Sequence, residues 1–399
     1  MKYLTLEAQA MQNELVNWRR TLHQNAEIGL ELPTTVSFVK EKLKEMGYEP
    51  KTVGGSGIVA LAGGKKSGKC FLIRADMDAL PIPEGNNIEY KSCNGNMHAC
   101  GHDFHTAMLL GAARLLKSHE DEIEGTVKLM FQPGEEIIKG AKAMIKDGVL
   151  EHPKVNAAAM IHVAVGYPIP SGVIIIPKKG IFSSASDWFD ITINGKGGHG
   201  AMPEVTIDPL NVLSHLHIAL QAIKAREISS TDVSVVTVGM MNGGNAANVI
   251  PDTAYMKGTI RTYDKKVRQF AIERVKSIST HVAETFRATA NPIITEGCPS
   301  VFIDESVSNC IRESLINVFD PKMIIDPSQF GMSRMAGSED FSFITEKVPG
   351  LMMMLSAGSI DEGYTFQVHH PKVIFNEVVL SRGAAIYAIS AMSWLDKNK

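Results

Sequence analysis

The chain predicts an α/β fold: a mixed sheet with helices on both faces, interrupted by an inserted α+β block of ferredoxin-like order. Three observations predict it. Residues 70–73 are a short, continuous apolar run, as expected for a strand buried on both faces, and the mostly apolar 126–131 and 155–161 repeat the rhythm of a strand followed by a site. From Ser184 onward the pattern alternates, as in residues 187–194, and alternation marks a strand with one open face. At 399 residues the chain exceeds one simple core and suits two domains.

Taken in order, residues 4–24 place Leu6, Met11, Leu15, Trp18 and Leu22 near helical spacing. Arg19-Arg20-Thr21-Leu22-His23 ends that helix, and reads equally as a solvated basic end or as a functional group. A helix over 35–46 closes at Gly47, and a strand over 57–61 lies between Gly54-Gly55 and Gly63-Gly64. The buried run 70–73 emerges into Arg74, Asp76 and Asp78. Sites in open α/β sheets form outside the carboxyl ends of strands, so Asp76 is placed to hydrogen-bond a ligand histidine from behind. An ion pair between Arg74 and an aspartate is the plainer reading.

Residues 97–105 put a thiol, three imidazoles and a carboxylate together: Met97-His98-Ala99-Cys100-Gly101-His102-Asp103-Phe104-His105. Gly101 lets the backbone turn tightly, so that Cys100 and His102 aim at one point. A thiolate with a neutral imidazole suits zinc or a similar cation. A helix over 106–116 follows, with Asp103 as its N-cap. The strand 126–131 runs into Gln132-Pro133-Gly134-Glu135-Glu136. Two adjacent carboxylates after a buried strand resist joint ionisation without a cation. One can bind metal while the other activates water. The strand 155–161 ends at His162, a third metal-compatible group at a strand end.

The inserted block has a glycine-rich loop with His199 after its first strand. Then come a helix over 208–225, strands over 233–238 and 253–261, a helix over 265–287 and a strand over 291–295. Its open sheet can pair with a copy of itself. The α/β pattern resumes with a helix over 304–319, a strand over 350–355 and a helix over 377–394. Met332 and Met352-Met353-Met354 read as core packing. The domains expected are 1–183 with 296–399, and 184–295.

Composition narrows the classes. A formal charge of −3 argues against a nucleic-acid binder. Five scattered cysteines make no disulfide framework and fit a reducing compartment. No signal-peptide core is visible at the N-terminus, and no stretch reads as a membrane span. The expectation is a cytoplasmic protein without membrane or nucleic-acid partners.

Together these residues resemble the M20 family of metallohydrolases, and its amidohydrolase branch in particular. The resemblance rests on residues 74–81, 97–105, 132–136, 140–145, Gly197-Gly198-His199, Asn248-Val249-Ile250-Pro251, 337–341 and 369–371. It implies a zinc-exopeptidase-like catalytic domain split around a dimerisation, or lid, domain. It also implies two divalent metal ions per subunit, zinc, manganese, cobalt or nickel, held by Cys100, His102, Glu136, His162 and His369, with Cys100 bridging. Glu135 is then the general base, and His199 stabilises the oxyanion, offered by the lid of a partner in a homodimer. Asn248 and Arg261 hold the substrate carboxylate, and Arg74 receives no metal role. The implied reaction is hydrolysis of an N-acyl amino acid. Dipeptide hydrolysis is the near alternative. A Cys100 nucleophile with His102 or His105 as base, and a non-catalytic metal-binding protein, are the more distant ones.

Overall fold

The computed structural model describes residues 1–330 and 334–399, so Met332 lies outside the described residues. Two compact units emerge. The first comprises Met1–Phe182, Phe302–Arg334 and Asp340–Lys399; the second comprises Ser183–Val301 and Met335–Glu339. The return crossing lies beyond residue 296 because the chain past the last strand stays tied to the second unit. Ser186 N–H donates to Cys298 O at 3.0 Å, and Val301 N–H donates to Ser183 Oγ at 2.9 Å. Residues 335–339 belong there because Ser184 N–H donates to Gly337 O at 3.1 Å.

In the first unit, the strands β1 (Lys51–Val53), β2 (Gly57–Gly63), β3 (Cys70–Asp76), β4 (Thr126–Gln132) and β5 (Val155–Ala164) join Ile174–Ile175, Ile324–Ile325 and Gly350–Ser356. Among the described residues they form one eight-stranded mixed sheet. Its centre is parallel: β4, β3, β5 and Gly350–Ser356 lie side by side with a common direction. β3 is buried at every position, which explains its unbroken apolar run. The helices α1 (Lys2–Ala10), α2 (Gln12–Gln24), α3 (Pro33–Glu45) and α4 (His102–Ser118) are followed by the closing helix Leu380–Lys397. α4 packs against the closing helix, α2 and β3. That contact is close because Gly111 has no side chain: a Cβ there would come within 2.8 Å of Ala384 and Leu15.

Three sequence expectations change. The N-terminal helix is two helices, broken at Met11. Asp103 is not the N-cap of α4; Gly101 is, at φ 88, and the helix starts at His102. The segment Glu377–Lys397 does have the length and apolarity of a membrane span, contrary to the expectation that no stretch would. It is a core helix, with 83% of its apolar window buried.

The second unit is a four-stranded antiparallel sheet in the order Ser234–Gly243, Thr253–Thr262, Ala185–Asn194, Thr289–Glu296. Pro209–Ala222 and Lys265–Thr285 cover one face, where Ile191, Leu216 and Val275 are buried. Both helices are capped by aspartates, Asp208 and Asp264, that accept backbone N–H bonds from the first turn. The other face carries Trp188 and Ile293, both exposed.

Candidate metal centre and active site

The carboxyl ends of β3 and β4, the end of β5 and the start of α4 converge within the first unit. Gly101 supplies the left-handed conformation that a residue with a side chain resists, and so sets Cys100 and His102 on one turn. The donor atoms of Cys100, His102 and His162 lie within 4.8 Å of one another. Those of Cys100, Glu136 and His369 form a second such group, sharing the same sulfur. His369, itself at φ 68, is held by its N–H to Ala99 O at 2.8 Å, and its Nε2 lies 3.6 Å from Glu136 Oε1.

Hydrogen bonds decide which ring nitrogen faces inward. His102 Nδ1–H donates to Asp78 O at 2.8 Å, and His162 Nδ1–H donates to Val163 O at 2.7 Å. Each leaves the Nε2 lone pair for a ligand, the usual arrangement of a metal-binding histidine. His162 Nε2 lies 3.5 Å from Cys100 Sγ. His102 Nε2 and Glu136 Oε1 are buried without a hydrogen-bond partner among the described residues. Buried polar atoms of this kind carry a desolvation cost that a cation would relieve.

Electrostatics agree. Burial pushes Glu136 up to about 7, helped by Asp78 and Asp76 and opposed by His102. Burial also pushes the Cys100 thiol well up, with Glu136 adding to it. For His102 burial favours the neutral ring, but Asp76 and Cys100 outweigh it and raise the pKa. Without a cation, then, Cys100, His102 and Glu136 are biased toward holding protons that a metal would displace. The residues present fit a metal centre.

Asp76 takes a different place from the one expected of it. Its Oδ1 accepts from His105 Nδ1–H at 2.5 Å, and its Oδ2 pairs with Arg74 Nη1 at 2.8 Å. The group behind His102 is the carbonyl of Asp78, not Asp76. Arg74 also reaches Asp340 at 2.9 Å and Gln132 at 3.0 Å, so the plain ion-pair reading of Arg74 is the one observed. His105 is not available as a base for Cys100, because its Nε2 already accepts Val163 N–H at 2.8 Å.

Sequence reasoning gave Asp78 no role. Its Oδ1 accepts Glu135 N–H at 3.0 Å and its Oδ2 accepts Glu136 N–H at 3.1 Å. One residue thus holds the backbone of both carboxylates and the ring of His102. The available signal was its i, i+2 spacing from Asp76 at the end of a buried strand.

The model of peptidase family M20/M25/M40 matches residues 72–393. The chain belongs to peptidase family M20. This M20 chain is 35% identical to the N-acetyl-L-cysteine deacetylase of Bacillus subtilis, over 98% of the chain and 90% of that protein. It is 34% identical to thermostable carboxypeptidase 2 of Saccharolobus solfataricus, over 98% of each. A Bacillus subtilis crystal structure described as a dinuclear metal-binding M20 peptidase superposes with a TM-score of 0.81. That structure is 32% identical, covering 97% of this chain and 99% of the other. The M20 chain is accordingly a metal-dependent hydrolase of the amidohydrolase and peptidase type.

The remaining candidates of this M20 enzyme lie in the second unit. His199 is exposed and sits in a two-residue strand paired with Val249. Asn248 is exposed in the adjoining segment, its carbonyl accepting Gly200 N–H at 2.8 Å. Arg261 stands on the central strand Thr253–Thr262, its guanidinium 5.6 Å from the Trp188 ring. Its Nη1 is buried without a partner among the described residues.

Proposed function

We propose that this enzyme hydrolyses the amide bond of N-acyl amino acids, releasing a carboxylate and a free amino acid. The observation that carries this reading is the pair of donor groups sharing Cys100, with Glu135 on the same stapled strand end. Cys100, His102, Glu136, His162 and His369 would hold two divalent ions, zinc, manganese, cobalt or nickel, with Cys100 as the shared donor. When bound, such ions acidify water and polarise a scissile carbonyl. Glu135 takes the water's proton on its carboxylate and returns it to the leaving nitrogen. Its Oε2 lies 4.0 Å from His102 Nε2, close enough to the donors to serve a water held there. His199 donates to the oxyanion. Asn248 and Arg261 hold the substrate carboxylate, for which a guanidinium fork is suited.

Similarity to an N-acetylcysteine deacetylase supports the acyl reading. Similarity to a carboxypeptidase favours a second one, cleavage of a peptide at its C-terminal residue by the same residues. The two part on whether the acyl group is itself an amino acid. Apo-protein is reloaded with each metal in turn and given N-acetyl, N-benzoyl and dipeptide forms of the same amino acids. Turnover of the acyl forms over the dipeptides is expected; a preference for the dipeptides would replace the first reading by the second.

We also propose a homodimer through the second unit. Ser234–Gly243 is an edge strand with Val235, Met240 and Met241 exposed, a backbone template that favours pairing with a second copy.

A further inference from the structure

Arg19-Arg20-Thr21-Leu22-His23 is the motif that the reaction above leaves unused. The reading of it as a solvated helix end fails for Arg19 and His23, each 2% exposed. α2 carries both against the first turn of α4. Arg19 Nε lies 2.7 Å from Asp103 Oδ2, a charge contact without hydrogen-bond alignment. Its Nη1 lies 3.2 Å from Glu377 Oε1, and its guanidinium lies 4.8 Å from the Tyr90 ring and 4.7 Å from the Phe104 ring. Arg20 takes the outer side of Glu377 at 2.6 Å.

His23 completes the cluster. Its Nδ1 lies 2.7 Å from Asp103 Oδ2, and its Nε2 lies 3.1 Å from Glu84 Oε2. Arg19 Nη2 also lies 3.2 Å from His23 Nδ1, so the ring is held between the Arg19 guanidinium and two carboxylates. Arg19 and His23 thus meet two buried carboxylates, Asp103 and Glu84. Glu84 in turn accepts Ser92 N–H at 2.9 Å. Burying such charges costs desolvation that apolar residues of similar volume would avoid. The cluster is therefore better explained by placement than by stability.

What it places is specific. Asp103 follows His102 directly and stands three residues from Cys100, in the first turn of α4. Its Oδ1 accepts Phe104 N–H at 2.9 Å, while its Oδ2 takes both Arg19 and His23 of α2. We infer that Arg19 and His23 are positioning residues, gripping Asp103 from α2 and so fixing the turn that presents Cys100 and His102. The inference rests on the assignment of those two side chains as metal donors. Neither Arg19 nor His23 touches substrate or metal in this scheme.

The test uses zinc-loaded full-length enzyme and reads metal retention, not turnover. Arg19→Lys keeps the charge and loses the fork; His23→Gln keeps one donor of two. Leu15→Ala serves as the control, since Leu15 is fully buried on the same helix and packs at Gly111, further along α4 than Asp103. Zinc loss to a chelator and alkylation of Cys100, followed by mass on its own peptide, are measured at temperatures equally far below each variant's thermal midpoint. Arg19→Lys is expected to lose zinc and alkylate at Cys100 about tenfold faster than both wild type and Leu15→Ala. His23→Gln should follow in the same direction, and it carries the test if Arg19→Lys does not fold. Retention equal to wild type, or loss no faster than in Leu15→Ala, overturns the positioning role. If zinc fails to protect Cys100 even in the wild type, the donor assignment falls first, and the inference falls with it.

Discussion

Glu135 and Glu136, for which different tasks are proposed, leave the same strand end, and the carboxylate of Asp78 holds both backbones in place. Asp78→Asn keeps the shape but turns an NH2 toward one of those backbone N–H groups. A lost buried bond of this kind costs about 1–3 kcal/mol. A base displaced by ~1 Å loses about 10²-fold in rate. Both falls are expected, in thermal midpoint and in kcat; wild-type kcat would show that the loop is held by other contacts. Glu135→Gln separates the two carboxylates in another way. Metal content should stay at two ions, while turnover falls about 10²–10⁴-fold, the range of general acid–base catalysis. Metal analysis and rate are taken on one sample, and joint loss of metal and rate would mean the two glutamates have been assigned in the wrong order.

At the scale of elements, the α2–α4 contact carries a pH signature. Burial and Arg19 both disfavour the charged His23 ring, but its bonds to Asp103 and Glu84 outweigh them and its pKa is raised. Tyr90 and His98 are the other ionisable rings beside it. Burial holds His98 down at about 3, so that ring stays neutral. A raised folded pKa gives stability that is fully present below the unfolded value, about 6.5, and is lost as pH rises through the folded value. The thermal midpoint of wild type should therefore exceed that of His23→Gln most below about pH 6.5, and the gap should narrow at alkaline pH. A gap that does not change with pH would mean the ring is neutral in the fold. On the acid side Asp103 sets the limit. Burial opposes its charge, but Arg19 and His23 depress its pKa, so its contribution is lost as pH falls below the usual carboxylate range, about 3.9.

At the scale of the whole molecule, the role proposed for His199, in the second unit, has to reach donors that lie in the first. The homodimer proposal gives it a route through the partner. Glu135→Ala and His199→Ala chains, each nearly inactive, are co-expressed with different tags and the hybrid is isolated. If each chain serves the other's donors, one site of the hybrid has both groups, and up to about half the wild-type activity returns when sites act independently. A metal-loaded, dimeric hybrid as poor as its parents excludes that route. A fully active His199→Ala protein removes the residue from the mechanism.

Local pattern was enough to mark the two sheet systems, because burial on both faces gives β3 an unbroken apolar run while a half-open sheet alternates. It was enough to find the Cys100-Gly101-His102 turn, since a glycine at φ 88 between two donors is a local device. Composition also made Glu377–Lys397 resemble a membrane span, and only its packing against α4 shows a core helix. Asp103 reads as an N-cap from its neighbours alone, yet α2, 80 residues earlier, claims its carboxylate. Asp78 acts 57 residues ahead of Glu135, and Arg74 reaches Asp340 across 266 residues. Periodicity reports which face of an element is buried, and motifs report which side chains can bind or react. Which buried charge meets which is decided by strand order and helix packing, because the cost of burying a charge is met only by the partner that the fold brings to it.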